Sequence, residues 1–270
     1  MVTAAPPRPI ARPGRLRQIW RYRELLRGLV VRNLKVKYQR SLLGFVWTLV
    51  NPLLTVSILV IVFSHVVRIE LPHYWAFLLS GYFVWNFMLQ TLNTGTWIFA
   101  EHSRLTRSVA FPSEILVFSA AGSRLIEFAA EISLILVGLI LLHHHGIPDS
   151  YVLVPLLVVI QIVMAIGLAL PIATLSVFYY DVYHALPIAL TSLFYLSPVF
   201  YPASMVPEGI RTLYFLNPIA GLLTLYHEVV YAGQWPSIAL LAGTTAQAVI
   251  VYAIGYAIFH RYAAVFAEIV

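Results

Sequence analysis

The stretch Ser41-Leu-Leu-Gly-Phe-Val-Trp-Thr-Leu-Val-Asn-Pro-Leu-Leu54 marks the sharpest boundary in this chain. Ahead of it lies a basic arm ending Arg32-Asn-Leu-Lys-Val-Lys-Tyr-Gln-Arg40; behind it the chain is almost wholly apolar to Val67. A basic segment running straight into a hydrophobic span sets the span in a membrane with the basic end in the cytoplasm. Composition agrees: 60% of residues are hydrophobic, 10% are charged and the mean hydropathy is +0.84. A soluble domain carries about 25% charged residues. This chain cannot cover itself with a polar surface, so lipid is its solvent.

A helical span needs roughly 20 mainly apolar residues. Six stretches are read as spans: 46–67, 74–100, 115–142, 152–178, 185–200 and 237–259. Leu, Ile and Val recur in them without strict alternation, which argues for helices rather than barrel strands. The expected fold class is an all-α integral membrane protein with six transmembrane helices. Of the 17 Lys and Arg residues, eleven lie at or before Arg40. With the N-terminus inside, Arg104, Arg107 and Arg261 join them, only Arg68 and Arg211 fall outside, and Arg124 lies within a span. That 14-to-2 bias predicts a multi-pass protein of the cytoplasmic (inner) membrane with both termini in the cytoplasm. The first 40 residues lack the apolar core of a cleavable signal peptide. Their charge suits anionic lipid headgroups, and no nucleic-acid partner is expected.

The chain divides into residues 1–40, a tail plus a cytoplasmic interfacial helix, and residues 41–270, the membrane domain. Within 15–40, Leu16, Ile19, Trp20, Leu26, Val30 and Leu34 fall near one helical face, which Arg23 and Arg27 interrupt. That pattern predicts an amphipathic helix lying along the inner leaflet. Between the last two spans, 203–236 holds two apolar pieces, 210–216 and 219–232, each too short to cross and divided by Asn217-Pro218. Short helices that re-enter the membrane from outside are expected there.

Polar residues inside the spans carry the candidate site. Arg124, Glu127 and Glu131 share one face of the third span by their spacing of three and four. They read equally as a polar stripe on a path or dimer seam and as an intrahelical pair that neutralises itself. Tyr82, Phe83, Trp85, Phe87, Phe194 and Tyr195 lie deeper than an interfacial aromatic belt needs. They read either as faces on which sugar rings slide or as ordinary helix packing. Three consecutive histidines, His143 to His145, cannot converge on one point, so no metal site is expected. Cysteine is absent, and neither G-x-x-x-x-G-K-[ST] nor H-E-x-x-H occurs. The acidic residues are scattered. No catalytic residue and no cofactor of its own is therefore expected. A membrane enzyme of glycan assembly stays open as a reading from another class.

Three blocks carry a family resemblance: Arg32 to Leu54, Phe111-Pro-Ser-Glu-Ile-Leu116, and Asp181 to Pro202 with its Leu-Ser-Pro-Val-Phe-Tyr-Pro ending. They resemble the membrane (permease) subunit of ABC-2 type polysaccharide exporters, the Wzm-like family. Tyr183 stands where that family commonly has arginine. The resemblance implies a homodimer paired with two copies of a P-loop ABC ATPase, which would hold the ATP and Mg. It implies a lipid-linked, O-antigen-like polysaccharide moved through a channel at the dimer seam, by a protein surrounded by membrane lipids. Teichoic acid, capsule, galactan or a small lipid or drug are alternative cargoes for the same machine. Arg32, Lys35, Lys37 and Arg40 would then meet the lipid diphosphate. A coupling helix in the loop after Glu101, with Arg104, Leu105, Arg107 and Phe111, would dock on the ATPase.

Overall fold

In a computed structural model of the chain, residues 20–102, 111–142, 147–263 and 266 are described, and they are helical apart from short connections. The arm forms α1 (Arg23–Tyr38). A 3-10 turn (Gly44–Val46) leads into α2 (Trp47–Ile61), which ends in a π turn (Val62–Val66). Then come α3 (Tyr74–Glu101), α4 (Glu114–Leu142), α5 (Val154–Phe178), α6 (Val182–Tyr195), α7 (Glu208–Tyr214), α8 (Pro218–Tyr226) and α9 (Ile238–Tyr262). Three stretches, Gly44–Val66, Asp149–Phe178 and Ile238–Tyr262, are by length and composition able to cross a membrane. At 1.5 Å per residue α3 and α4 each run about 42 Å, but they carry amides, aromatics and charges among their apolar residues. Helix α6 stops at Tyr195 rather than continuing to residue 200, because Pro198 lies just ahead and disfavours helical backbone at Ser197.

The opening motif has a local cause. Helix α1 ends at Tyr38, Gln39 is extended, and Arg40 takes a left-handed φ of 69°. The Ser41 hydroxyl then accepts from the Gly44 backbone N–H at 3.1 Å, and Gly44 itself has φ 48°. The glycine supplies a conformation that a side chain would strain. Leu42, Leu43, Phe45, Val46 and Trp47 remain exposed, an apolar surface suited to lipid.

Helices α3 and α5 form the centre. Near one end of the bundle Phe77, Phe83, Met88, Ile135, Leu157, Leu222 and Tyr226 join one buried cluster. At the arm end Leu29, Phe99, Leu116, Leu170, Leu190, Phe259 and Phe266 join a second. Helix α8 is buried on nearly every face, with Ile219 to Leu223, Leu225 and Tyr226 all inside. Asn217 starts it by accepting from the Ile219 N–H at 3.1 Å, and Pro218 follows at the first helical position. Helix α7, by contrast, buries none of its residues.

The tightest seam joins α5 to α9. A Cβ on Gly255 would overlap the carbonyl of Gly167, and a Cβ on Gly167 would meet the Tyr252 backbone at 2.6 Å. Small residues let membrane helices approach closely where no hydrophobic force drives them together. Gly167→Val and Gly255→Val should each destabilise the detergent-solubilised protein, by about 1–3 kcal/mol for overpacking. Gly243→Val, where a Cβ meets nothing within 4 Å, should leave the apparent melting temperature unchanged. Equal behaviour of the three variants would show that the seam is loose.

Candidate functional site: a polar cleft under the arm

Helix α1 packs along α4. The arm buries Leu29, while Leu26, Val30 and Leu34 are only half-buried and Trp20 is exposed. The seam closes over Gly122, where a Cβ would lie 3.0 Å from Val30 Cγ2. Leu16 and Ile19 lie outside the described residues. The arm therefore rests on protein, with its C-terminal end over the middle of α4.

That end is held by one carboxylate. Lys37 Nζ donates to both Glu127 oxygens at 2.9 and 3.0 Å, and Tyr38 donates to Oε1 at 2.7 Å. Arg124 donates to Oε2 at 2.6 Å. The Tyr38 oxygen lies 2.5 Å from Thr48 Oγ1. With the phenol proton committed to Glu127, the threonine is the donor there. One acid thus ties α1, α2 and α4 together. The Glu127 side chain is only 8% exposed, whereas that of Lys37 is 40% exposed. Burial, aided by the Arg124 charge, pulls the Lys37 ammonium below its ordinary pKa, and the Glu127 contact opposes that pull. Burial pushes the Tyr38 phenol up. One turn along α4, Glu131 is buried and accepts from Asn86 Nδ2 at 3.2 Å.

Two cavities flank this bridge and share Lys37, Arg124 and Glu127 as walls. One, of about 250 Å³, adds Arg32, Asn33, Thr94, Glu101, His102 and Ser123. The other, of about 200 Å³, adds Asn51, Thr55, Tyr82, Asn86, Gln90 and Glu131 with Trp47 at its edge. Together they make a polar cleft from the arm into the bundle.

The sequence candidates separate on this geometry. Arg32, Lys37, Tyr82, Arg124, Glu127 and Glu131 line the cleft. Lys35 and Arg40 are exposed and line neither cavity. Phe83, Trp85 and Phe87 sit in the packed core, each at most 3% exposed. Phe194 packs on Trp85 and Phe200, and Tyr195 is exposed beside them. Tyr183 packs at a tilt against Trp97, with ring centroids 4.1 Å apart. Of the coupling candidates, Glu101 ends α3 and Phe111 packs against the arm-end core. Arg104, Leu105 and Arg107 lie outside the described residues, as do the three histidines.

Sequence reasoning passed over Tyr38, Thr48, Asn51, Asn86 and Gln90. The amides were the available signal, since polar groups inside apolar spans are expensive and face a cavity or a partner.

A basic helical arm, latched onto an apolar helical bundle over a cleft with polar and charged walls, is the frame within which comparison becomes informative. Residues 24–231 match the model of the ABC-2 type transporter membrane family. The chain belongs to that family. It is a multi-pass membrane protein and the membrane subunit of an ABC-2 transporter, and membership implies pairing with an ATPase of the ATP-binding-cassette type. It is similar to the O-antigen export system permease protein RfbA of Myxococcus xanthus, 31% identical over 94% of this chain and 98% of that one. Two proteins of the same name from Klebsiella pneumoniae are 27% and 26% identical, each over 91% of this chain and 95% of theirs.

Removing one partner of a buried ion pair costs about 3–5 kcal/mol, because the other charge is stranded. Glu127→Ala should therefore lower the apparent melting temperature of the purified protein strongly. Lys37→Gln should cost much less, because water reaches its head group. A Glu127→Ala protein as stable as the parent would show that the bridge does not hold the arm.

Proposed function

We propose that this chain is the permease subunit of an ATP-driven exporter that moves a lipid-linked, O-antigen-like polysaccharide across the cytoplasmic membrane. The observation that carries the reading is the end-to-end likeness, over 91–94% of the chain, to permeases named for O-antigen export. In this reading α2 to α6 and α9 are the six spans, both termini are cytoplasmic, and α7 and α8 re-enter the outer side. Two copies form a channel at their seam, and two ATPase subunits engage the loop after Glu101.

The cleft supports a lipid-linked cargo in particular. A diphosphate must leave the aqueous interface for a low-dielectric path, and cations at the boundary offset its desolvation. Arg32, Lys37 and Arg124 line one cavity there. Glu127 pairs with two of the three in the resting state, so an arriving diphosphate competes with it for Lys37 and Arg124.

The test is a chromosomal deletion in the native host, complemented with variants. Deletion should remove the polysaccharide from the cell surface and accumulate its lipid-linked form on the inner side. Arg32→Gln should lower export several-fold at normal expression, while Lys35→Gln, which lines neither cavity, should export normally. Unchanged surface polysaccharide in the deletion, with no lipid-linked accumulation, would overturn the reading.

A further inference from the structure

The two cavities beside the Glu127 bridge differ in chemistry. The first gathers Arg32, Lys37 and Arg124 with Asn33, Glu101 and Glu127; the hydroxyls of Thr94 and Ser123 also line it, their protons donated to the backbone carbonyls of Gln90 and Ala120. The second adds no cation of its own. Its further walls are the amides of Asn51, Asn86 and Gln90, the hydroxyls of Thr55 and Tyr82, the indole of Trp47 and a second carboxylate, Glu131. Its two cations, Lys37 and Arg124, are matched by two acids, Glu127 and Glu131, whereas the first cavity sets three cations against Glu101 and Glu127; the second is the poorer seat for another anion. An acyl chain would leave the side-chain amides of Asn51 and Gln90 facing hydrocarbon without partners, which is unfavourable. A metal ion is disfavoured as well: Lys37 and Arg124 already neutralise Glu127, and no group of metal-ligating residues occurs among the described residues.

What these walls do suit is a ring of hydroxyl groups. Each sugar hydroxyl donates one hydrogen bond and accepts others, and side-chain amides offer both roles at once. Carboxylates accept strongly from hydroxyls, and an indole face takes the apolar C–H face of a pyranose. The side-chain amides of Asn51 and Gln90 make no hydrogen bond among the described residues; their backbone carbonyls accept from the hydroxyls of Thr55 and Thr94 respectively. Both are available to a ligand. The cavity, about 200 Å³, is smaller than the roughly 300–1,000 Å³ pockets that enclose drug-sized ligands. It suits one ring and not a chain.

We infer that this second cavity binds the sugar joined directly to the lipid diphosphate, while the phosphates sit against the cations of the first. The inference rests on the lipid-linked reading above and deepens it: the permease reads the carbohydrate end of the anchor as well as its charge. An unglycosylated polyprenyl diphosphate is then held less firmly and is not drawn into the path.

The experiment uses the permease with its ATPase in lipid nanodiscs. The probes are undecaprenyl diphosphate and a panel of undecaprenyl diphosphates bearing a single hexose or N-acetylhexosamine. At least one glycosylated lipid should bind tenfold or more tightly than the bare diphosphate. Asn51→Ala and Gln90→Ala should each erode that advantage and leave affinity for the bare lipid unchanged. Neither residue's side chain makes a hydrogen bond among the described residues, so both variants should assemble normally. Arg32→Gln should weaken all probes alike. If the bare lipid binds and no sugar adds affinity, or if the advantage survives both substitutions, the sugar subsite is wrong while the diphosphate reading stands. If no lipid on the panel binds the parent complex, the diphosphate reading falls and the sugar subsite with it.

Discussion

Everything at the arm end of this protein depends on how Glu127 is satisfied. A carboxylate 8% exposed inside an apolar bundle is sustainable only with cations and hydrogen bonds around it. The chain supplies them from three places: Arg124 one turn back on α4, and Lys37 and Tyr38 from the end of the arm. Thr48, at the start of α2, completes the set through Tyr38. Bringing the arm to that acid sets where the first helix enters the bundle. It also opens the polar cleft, since the same side chains wall both cavities.

The rest of the frame is held differently. Helices α5 and α9 meet through Gly167 and Gly255 with almost no space between their backbones, and α8 is buried on nearly all sides. These are packing contacts, and they do not exchange readily for anything else. The arm, by contrast, is held partly by charges that an anionic ligand can also use. A rigid bundle with an ionic latch at its arm end would give an anionic ligand a means of acting on the first helix. In the proposed reading, the interaction that stabilises the resting state is the one the substrate competes with.

Much of this was legible in the sequence, for identifiable reasons. Apart from α6, which stops at Tyr195, and the first span, which closes in a π turn after Ile61, the apolar stretches are helices close to their expected limits, because hydropathy and length constrain a membrane helix directly. Asn217-Pro218 reads as the divide between two short apolar pieces, and it does separate α7 from α8, starting the latter through an asparagine cap and a first-turn proline. The stripe of Arg124, Glu127 and Glu131 was visible from spacing alone. Its partner Lys37 was not, because a contact 90 residues away in the chain leaves no periodic trace. The arm's buried residue is Leu29 rather than the expected run of Leu26, Val30 and Leu34. The arm meets protein at Gly122 rather than lipid alone, and the shape of that neighbour decides which side chain goes in. Phe83, Trp85 and Phe87 were equally ambiguous, since a helix apolar on every face does not reveal which side looks inward. Their burial places them in the core.

The central claim is that the arm is latched to α4 through Glu127. The chain has no cysteine, so a pair introduced at Val30 and Gly122, whose side-chain positions lie in contact, gives a clean readout in native membranes. The account predicts rapid oxidative cross-linking of Val30→Cys with Gly122→Cys, and a marked slowing when Glu127→Ala is added. An arm that fails to cross-link at this position, or that cross-links equally well without Glu127, would contradict it.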